Sequence, residues 1–151
     1  MEILTRKKQE LNRQVQGREL LNMREPDQSL DQLAHMVIGA AIDVHREIGP
    51  GFLESVYQNA LCYELTLRNI KHIPQAPAAV TYKGYPVGEG RIDILVESRL
   101  IVEIKAVDAY EPIHHAQVIS NLKATQLSLG LLINFNMPIL KDGIRRVILT
   151  R

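Results

Sequence analysis

The chain has no tryptophan, one cysteine, two phenylalanines and five tyrosines in 151 residues. So few aromatics leave the core to aliphatic side chains, and Cys62 has no partner for an internal disulfide. A disulfide scaffold is excluded, and a reducing cytoplasm fits best. Charge of one sign is also lacking, because 18 Lys and Arg stand against 17 Asp and Glu. There is no global basic field of the kind many nucleic-acid binders carry, so binding of that sort must use a local patch. No apolar run approaches a membrane span, and Met1 to Met23 lacks the hydrophobic segment of a secretory signal. What remains reads as a soluble chain long enough for one domain with a sizeable core.

Residues 1–29 are polar and mixed in charge, with Arg6, Lys7, Lys8, Arg13 and Arg18 among Glu10 and Glu19. They read as an extension, weakly structured or a marginal helix, ahead of a folded domain over 30–151. With Ser29 as N-cap, apolar residues recur at Leu33, Met36, Val37, Ala40, Ala41, Val44 and Ile48, one face of a helix. Gly49-Pro50-Gly51 breaks it, and a second helix follows through Val56, Tyr57, Ala60, Leu61, Leu65 and Leu67, giving an αα-hairpin. Pro74 and Pro77 introduce a strand around Ala78 to Tyr82, and Lys83-Gly84 supplies a turn. Strand-like runs follow from Arg91 to Val96 and from Leu100 to Val107. Pro112 opens a helix to about Ser128, and Gly130 to Phe135 and Ile144 to Leu149 read as further strands. This order predicts an α/β fold, a mixed sheet flanked by helices and preceded by the αα-hairpin.

Three charges interrupt the two central runs: Asp93, Glu103 and Lys105. If Glu97, Ser98 and Arg99 form the connection, the odd spacing sets Asp93 directly across from Glu103. An even one would send the carboxylates to opposite faces. Alternation also places Arg91 and Asp93 on one face and Ile92, Ile94 and Val96 on the other, with Lys105 beside Glu103. Facing carboxylates repel and require a cation, a shared proton or a wet site. Oxygen ligands of this kind suit Mg²⁺ or Mn²⁺, and an adjacent ammonium suits phosphodiester hydrolysis. The plainer alternative is a hairpin face on which Lys105 pairs with Glu103 or Asp108.

Glu54 lies in the first turn of the second helix with Tyr57 on the same face, although an acid there also complements the helix dipole and Tyr57 suits a core. The helix after Pro112 sets His114 and Gln117 on one face, and Asn121 extends that face by a turn. One pair of histidines at His114 and His115 does not make a zinc site. There is no phosphate-binding glycine-lysine loop, no HExxH and no nucleophile elbow.

Together these residues resemble the GxxExxY family, a branch of the PD-(D/E)xK nuclease superfamily with the restriction-endonuclease-like fold. The naming motif stands as Gly51-Phe-Leu-Glu54-Ser-Val-Tyr57. Similarity runs from about His35 to Val147, through Ala41-Ile-Asp-Val-His-Arg-Glu-Ile-Gly-Pro-Gly51, Tyr82-Lys-Gly84, Arg91-Ile-Asp93, Glu103-Ile-Lys105, Gln117 and Leu131-Leu-Ile-Asn-Phe135. The resemblance implies that Asp93 and Glu103, with Glu54, are metal ligands and that Lys105 is the catalytic lysine. It implies that Gln117 supports the site or contacts substrate. Tyr57, Arg91 and His114 are further candidates for substrate contact. Two positions depart from the pattern: Asn121 stands where relatives usually carry tyrosine, and Gly90 where an aromatic is common.

The expectation is a divalent-metal-dependent nuclease, using Mg²⁺ with Mn²⁺ as a substitute, that hydrolyses nucleic acid, DNA before RNA. The alternative is a catalytically silent nucleic-acid-binding or assembly module on the same fold, and a weaker one is hydrolysis of a smaller phosphate ester. So small a chain is expected to use a homodimer or a protein partner to acquire substrate. Met23 stands close to where shorter relatives begin and is expected to be the physiological start. Met1 peptides from the native host would contradict that.

Overall fold

The computed structural model describes residues 5–10, 13 and 27–150. Residues 5–10 are helical, and the segment 14–26, with Met23, lies outside the described residues. The domain then runs α1 (Gln28–Ile48), α2 (Glu54–Leu67), β1 (His72–Tyr82), β2 (Tyr85–Val96), β3 (Leu100–Lys105), α3 (Pro112–Thr125), β4 (Leu129–Asn134), a short 3-10 turn (Leu140–Gly143) and β5 (Ile144–Ile148). Among the described residues no helix is long and apolar enough to cross a membrane.

The five strands lie in chain order. Neighbours are antiparallel except β3 and β4, which are parallel and joined by α3. A parallel pair needs a crossover, and α3 supplies it. The expected mixed sheet flanked by helices and preceded by an αα-hairpin is therefore what the chain forms. Pro74 and Pro77 fall inside β1, which starts earlier than Ala78. They are tolerated because β1 is an edge strand, where a missing donor leaves no neighbour unpaired.

Two apolar clusters sandwich the sheet. On one face α1 and α2 bury Leu33, Val37, Ala41, Leu61 and Leu65 against Val102, Ile104, Leu131 and Ile133. On the other, Val118 and Leu122 of α3 pack against Ile92, Ile101, Leu132 and Val147. At Gly130 a Cβ would stand 2.6 Å from Val118 Cγ1, so glycine lets α3 approach β4 closely. That approach sets the depth of the hollow between α3 and the sheet.

Helix α1 begins earlier than expected, because Asp27 rather than Ser29 is the N-cap. Its Oδ1 accepts the Leu30 N–H at 2.7 Å, a charge-assisted cap that satisfies one of the free amides. Ser29 is engaged elsewhere: Arg99, in the β2–β3 turn, donates to Ser29 Oγ at 2.9 Å and to both oxygens of Asp27. The helix entrance is thus tied to the turn that sets the hairpin register.

Alternation in β2 breaks where the sequence suggests regularity. Ile94 and Val96 pack under α1 and α2, whereas Ile92, expected on their face, packs under α3. The break coincides with Gln75 of β1, whose φ is +51° and which is missing from an otherwise continuous ladder between Pro74↔Ile94 and Ala76↔Ile92. Both strands therefore reverse faces at the Gln75 and Asp93 rung.

Candidate active site

The register on which the acid pair depends is present. Leu95 pairs with Ile101 and Val96 with Leu100 across the turn of Glu97, Ser98 and Arg99. Glu97 and Ser98 have positive φ, as hairpin turns that follow the strand twist demand. The ladder stops at Ile94↔Val102, one rung short of Asp93 and Glu103. In its place the Asp93 side chain accepts the Ile104 N–H through Oδ2 at 2.8 Å. The carboxylate thus substitutes for a ladder carbonyl, which fixes it beside Glu103.

Glu103 is 5% exposed. Burial, then the Asp93 carboxylate and a hydrogen bond with it, push the Glu103 pKa up to about 8, against smaller lowering effects of Asn121 and Lys105. Beside Asp93, Glu103 is therefore pushed towards its neutral form. A divalent cation would replace the proton of that form and relieve the repulsion. The donors fit such an ion: among the described residues Glu103 Oε2 and Asp93 Oδ1 receive no short hydrogen bond from another group. Glu103 Oε1 takes Asn121 Nδ2 at 3.1 Å, and Asp93 Oδ1 faces Gln75 Nε2 only at 3.5 Å. Mg²⁺ commonly binds through one or two carboxylates and keeps several waters, so two acids suffice.

A cleft of about 400 Å³ opens over the pair, walled by Gly90, Arg91, Asp93, Glu103, Lys105, Gln117, Ser120 and Asn121. Lys105 makes neither of the plain ion pairs considered from sequence, since among the described residues no carboxylate lies within salt-bridge distance of it. Asp108 is engaged by Asn136 instead. Gln117 reaches the same space from α3. Arg91 lines the wall and offers its carbonyl to Asn121 Nδ2 at 3.2 Å.

Glu54, Tyr57 and His114 are not among the residues that wall the cleft. Glu54 is exposed in the first turn of α2, and among the described residues no three His, Cys, Asp or Glu stand close enough to hold an ion. Its helix does reach Asp93 indirectly, because Gln58, one turn on, accepts from Gln75 Nε2 at 2.6 Å. Tyr57 is fully buried and stands away from the cleft lining. It stacks on Phe135 with ring centroids 4.5 Å apart, donates to the Gly49 carbonyl at 2.7 Å and accepts the Phe52 N–H at 3.1 Å. The tyrosine of the naming motif therefore clamps the Gly49–Phe52 turn and fixes the start of α2. His114 is a cap: its Nδ1 accepts the Glu111 N–H at 3.0 Å in a capping box that starts α3.

The two positions that depart from the pattern the sequence resembles, Gly90 and Asn121, touch each other. A Cβ on Gly90 would stand 2.8 Å from Asn121 Oδ1, so any side chain at 90 obliges the Asn121 amide to shift. Asn121 is 8% exposed and bridges Glu103 to the Arg91 carbonyl. Sequence reasoning missed its polar role and missed Gln58 and Gln75 altogether. Helical spacing from Glu54 would have found Gln58, whereas nothing local announces the positive φ of Gln75.

The PD-(D/E)XK nuclease superfamily profile matches residues 31–147. The chain belongs to the PD-(D/E)XK nuclease superfamily. Its five-stranded mixed sheet flanked by helices accords with the restriction-endonuclease-like fold. Superfamily members are nucleases that generally use divalent metals. No curated protein and no solved structure matches the chain.

Proposed function

We propose that the protein is a divalent-metal-dependent nuclease of the GxxExxY branch that hydrolyses phosphodiester bonds of nucleic acid, DNA foremost. The observation that carries this reading is the acid pair: buried Glu103 beside Asp93, held by the Ile104 amide and Asn121, with Lys105 in the same cleft. Asp93 and Glu103 would hold Mg²⁺, or Mn²⁺ in its place, with Glu54 a third acid from outside the cleft lining. When bound, the ion supplies Lewis-acid polarisation of a phosphoryl oxygen and acidifies a bound water. The Lys105 ammonium steadies charge that develops on the phosphoryl group, in a walled cleft where such a charge acts more strongly than in water. Gln117 donates or accepts hydrogen bonds at the substrate side of the cleft.

Purified protein is incubated with Mg²⁺ or Mn²⁺ and labelled single-stranded, duplex and branched DNA and RNA. Metal-dependent cleavage of at least one class, abolished by chelator, is expected. Binding without cleavage under every condition would instead support the silent module. A substrate profile confined to small phosphate esters would move the activity out of nucleic acid.

A further inference from the structure

The cleft does not end at the acid pair. A second hollow, also about 400 Å³, lies between β1 and the later turns of α3, lined by Val80, Thr81, Ser120, Lys123 and Gln126 among others. Ser120 lines both hollows, so they adjoin along α3 and together make a groove. The groove walls include Arg91, Lys105 and Lys123, and among the described residues they include no acid other than Asp93 and Glu103. With Asp93 and Glu103 reserved for the ion of the nuclease reading, the charges left facing the groove are all basic. Those three are the local patch that a phosphate backbone requires.

Lys123 is exposed and, among the described residues, has no carboxylate within salt-bridge distance. At a rise of about 1.5 Å per residue, it stands about 9 Å along α3 from Gln117 and about 4.5 Å from Ser120. Asn121, which bonds Glu103, lies between them, so Lys123 stands about 3 Å along α3 beyond that partner of the acid pair, on the order of one step of about 3.4 Å axial rise. A lysine in the last turn of a helix also complements the dipole, but that role needs no hollow in front of it.

We propose that Ser120 and Lys123 form a second phosphate subsite, which grips the substrate strand beside the bond at the acid pair. This rests on the nuclease reading and adds to it that the substrate is a polymer tracked along α3. The ammonium of Lys123 pairs with a phosphate oxygen as a mobile point charge, and the Ser120 hydroxyl donates to the strand between that phosphate and the cleft. Such contacts position a chain without reading its bases.

The test uses the full protein, Lys123→Glu and Lys123→Arg, with a fluorescein-labelled DNA oligonucleotide and bis(p-nitrophenyl) phosphate as substrates. Lys123→Glu is expected to lower kcat/KM on the oligonucleotide at least fivefold more than on the small diester, mainly through KM, and Lys123→Arg to restore most of it. In Ca²⁺ without turnover, the slope of log affinity against log salt should fall by about 0.7–0.9 in Lys123→Glu, the signature of one lost phosphate contact. Equal effects on both substrates with an unchanged slope would overturn the subsite while leaving the nuclease reading intact. If the parent cleaves neither substrate, the nuclease reading fails and the salt slope still decides the subsite. Absence of any oligonucleotide binding overturns both.

Discussion

Gly90→Ala, a change of one methyl group outside the proposed metal ligands, should weaken metal binding. The new Cβ would lie 2.8 Å from Asn121 Oδ1, closer than such contacts occur, so the amide must turn away. In turning it gives up its bonds to Glu103 Oε1 at 3.1 Å and to the Arg91 carbonyl at 3.2 Å. A hydrogen bond to a charged group contributes about 1.5–3 kcal/mol and a neutral one about 0.5–1.5 kcal/mol. If roughly 1–3 kcal/mol of the orientation of Glu103 is lost, Mg²⁺ or Mn²⁺ affinity falls about 5- to 150-fold. Isothermal titration with Mn²⁺ reads this directly, with thermal unfolding recorded beside it. The reasoning makes a sharper demand in the Asn121→Ala background. There the obstruction is gone and the next contact of the Cβ is the Ala78 carbonyl at 3.9 Å, so Gly90→Ala should cost nothing further. The cycle should therefore show a coupling of about 1–3 kcal/mol. An equal loss in both backgrounds would refute the link between Gly90, Asn121 and Glu103.

Two further outcomes follow from the same geometry. The raised Glu103 pKa means that between its ordinary value, 4.5, and about 8 the folded protein holds a proton that the unfolded chain has released. Stability in chelator should therefore be greatest below that window and decline as pH rises through it. Mg²⁺ should offset the decline, and Glu103→Gln, which mimics the protonated form, should lack it; parallel melting curves for parent and variant across pH 5–9 would contradict the shift. Tyr57→Phe removes both hydrogen bonds to the Gly49–Phe52 turn, about 1–3 kcal/mol together, and should lower Tm by several degrees. Cleavage well below Tm should keep its KM; a raised KM with an unchanged Tm would return Tyr57 to the substrate.

Much of this architecture could be read from residue order because the relevant signals are local. The apolar period of α1, the Gly49-Pro50-Gly51 break and Pro112 at the head of α3 each act within a turn or two of chain. The Asp93 and Glu103 register was legible for the same reason, since the odd connection through Glu97, Ser98 and Arg99 fixes it. What escaped depends on distant partners. The reversal at Gln75 and Asp93 requires two strands to break together, and single-strand alternation cannot foresee it. Asp27, not Ser29, is the cap of α1, and Arg99, far along the chain, engages both. Tyr57 and His114 lie in sequence where substrate residues would, but a stacked Phe135 and an N-terminal cap claim them. Asn121 was visible only as a departure from a pattern, and its function emerges once Gly90 is seen to make room for it.

The central claim is that Asp93, Glu103 and Lys105 form one metal-dependent hydrolytic centre. Single-turnover cleavage of an end-labelled DNA substrate in Mg²⁺, by the parent and by Asp93→Ala and Lys105→Ala purified identically, tests it most directly. The account predicts cleavage by the parent that chelator abolishes, with rates at least about 100-fold lower in both variants, the scale on which a single stabilising charge acts. Cleavage that persists at the parental rate in both variants would contradict it.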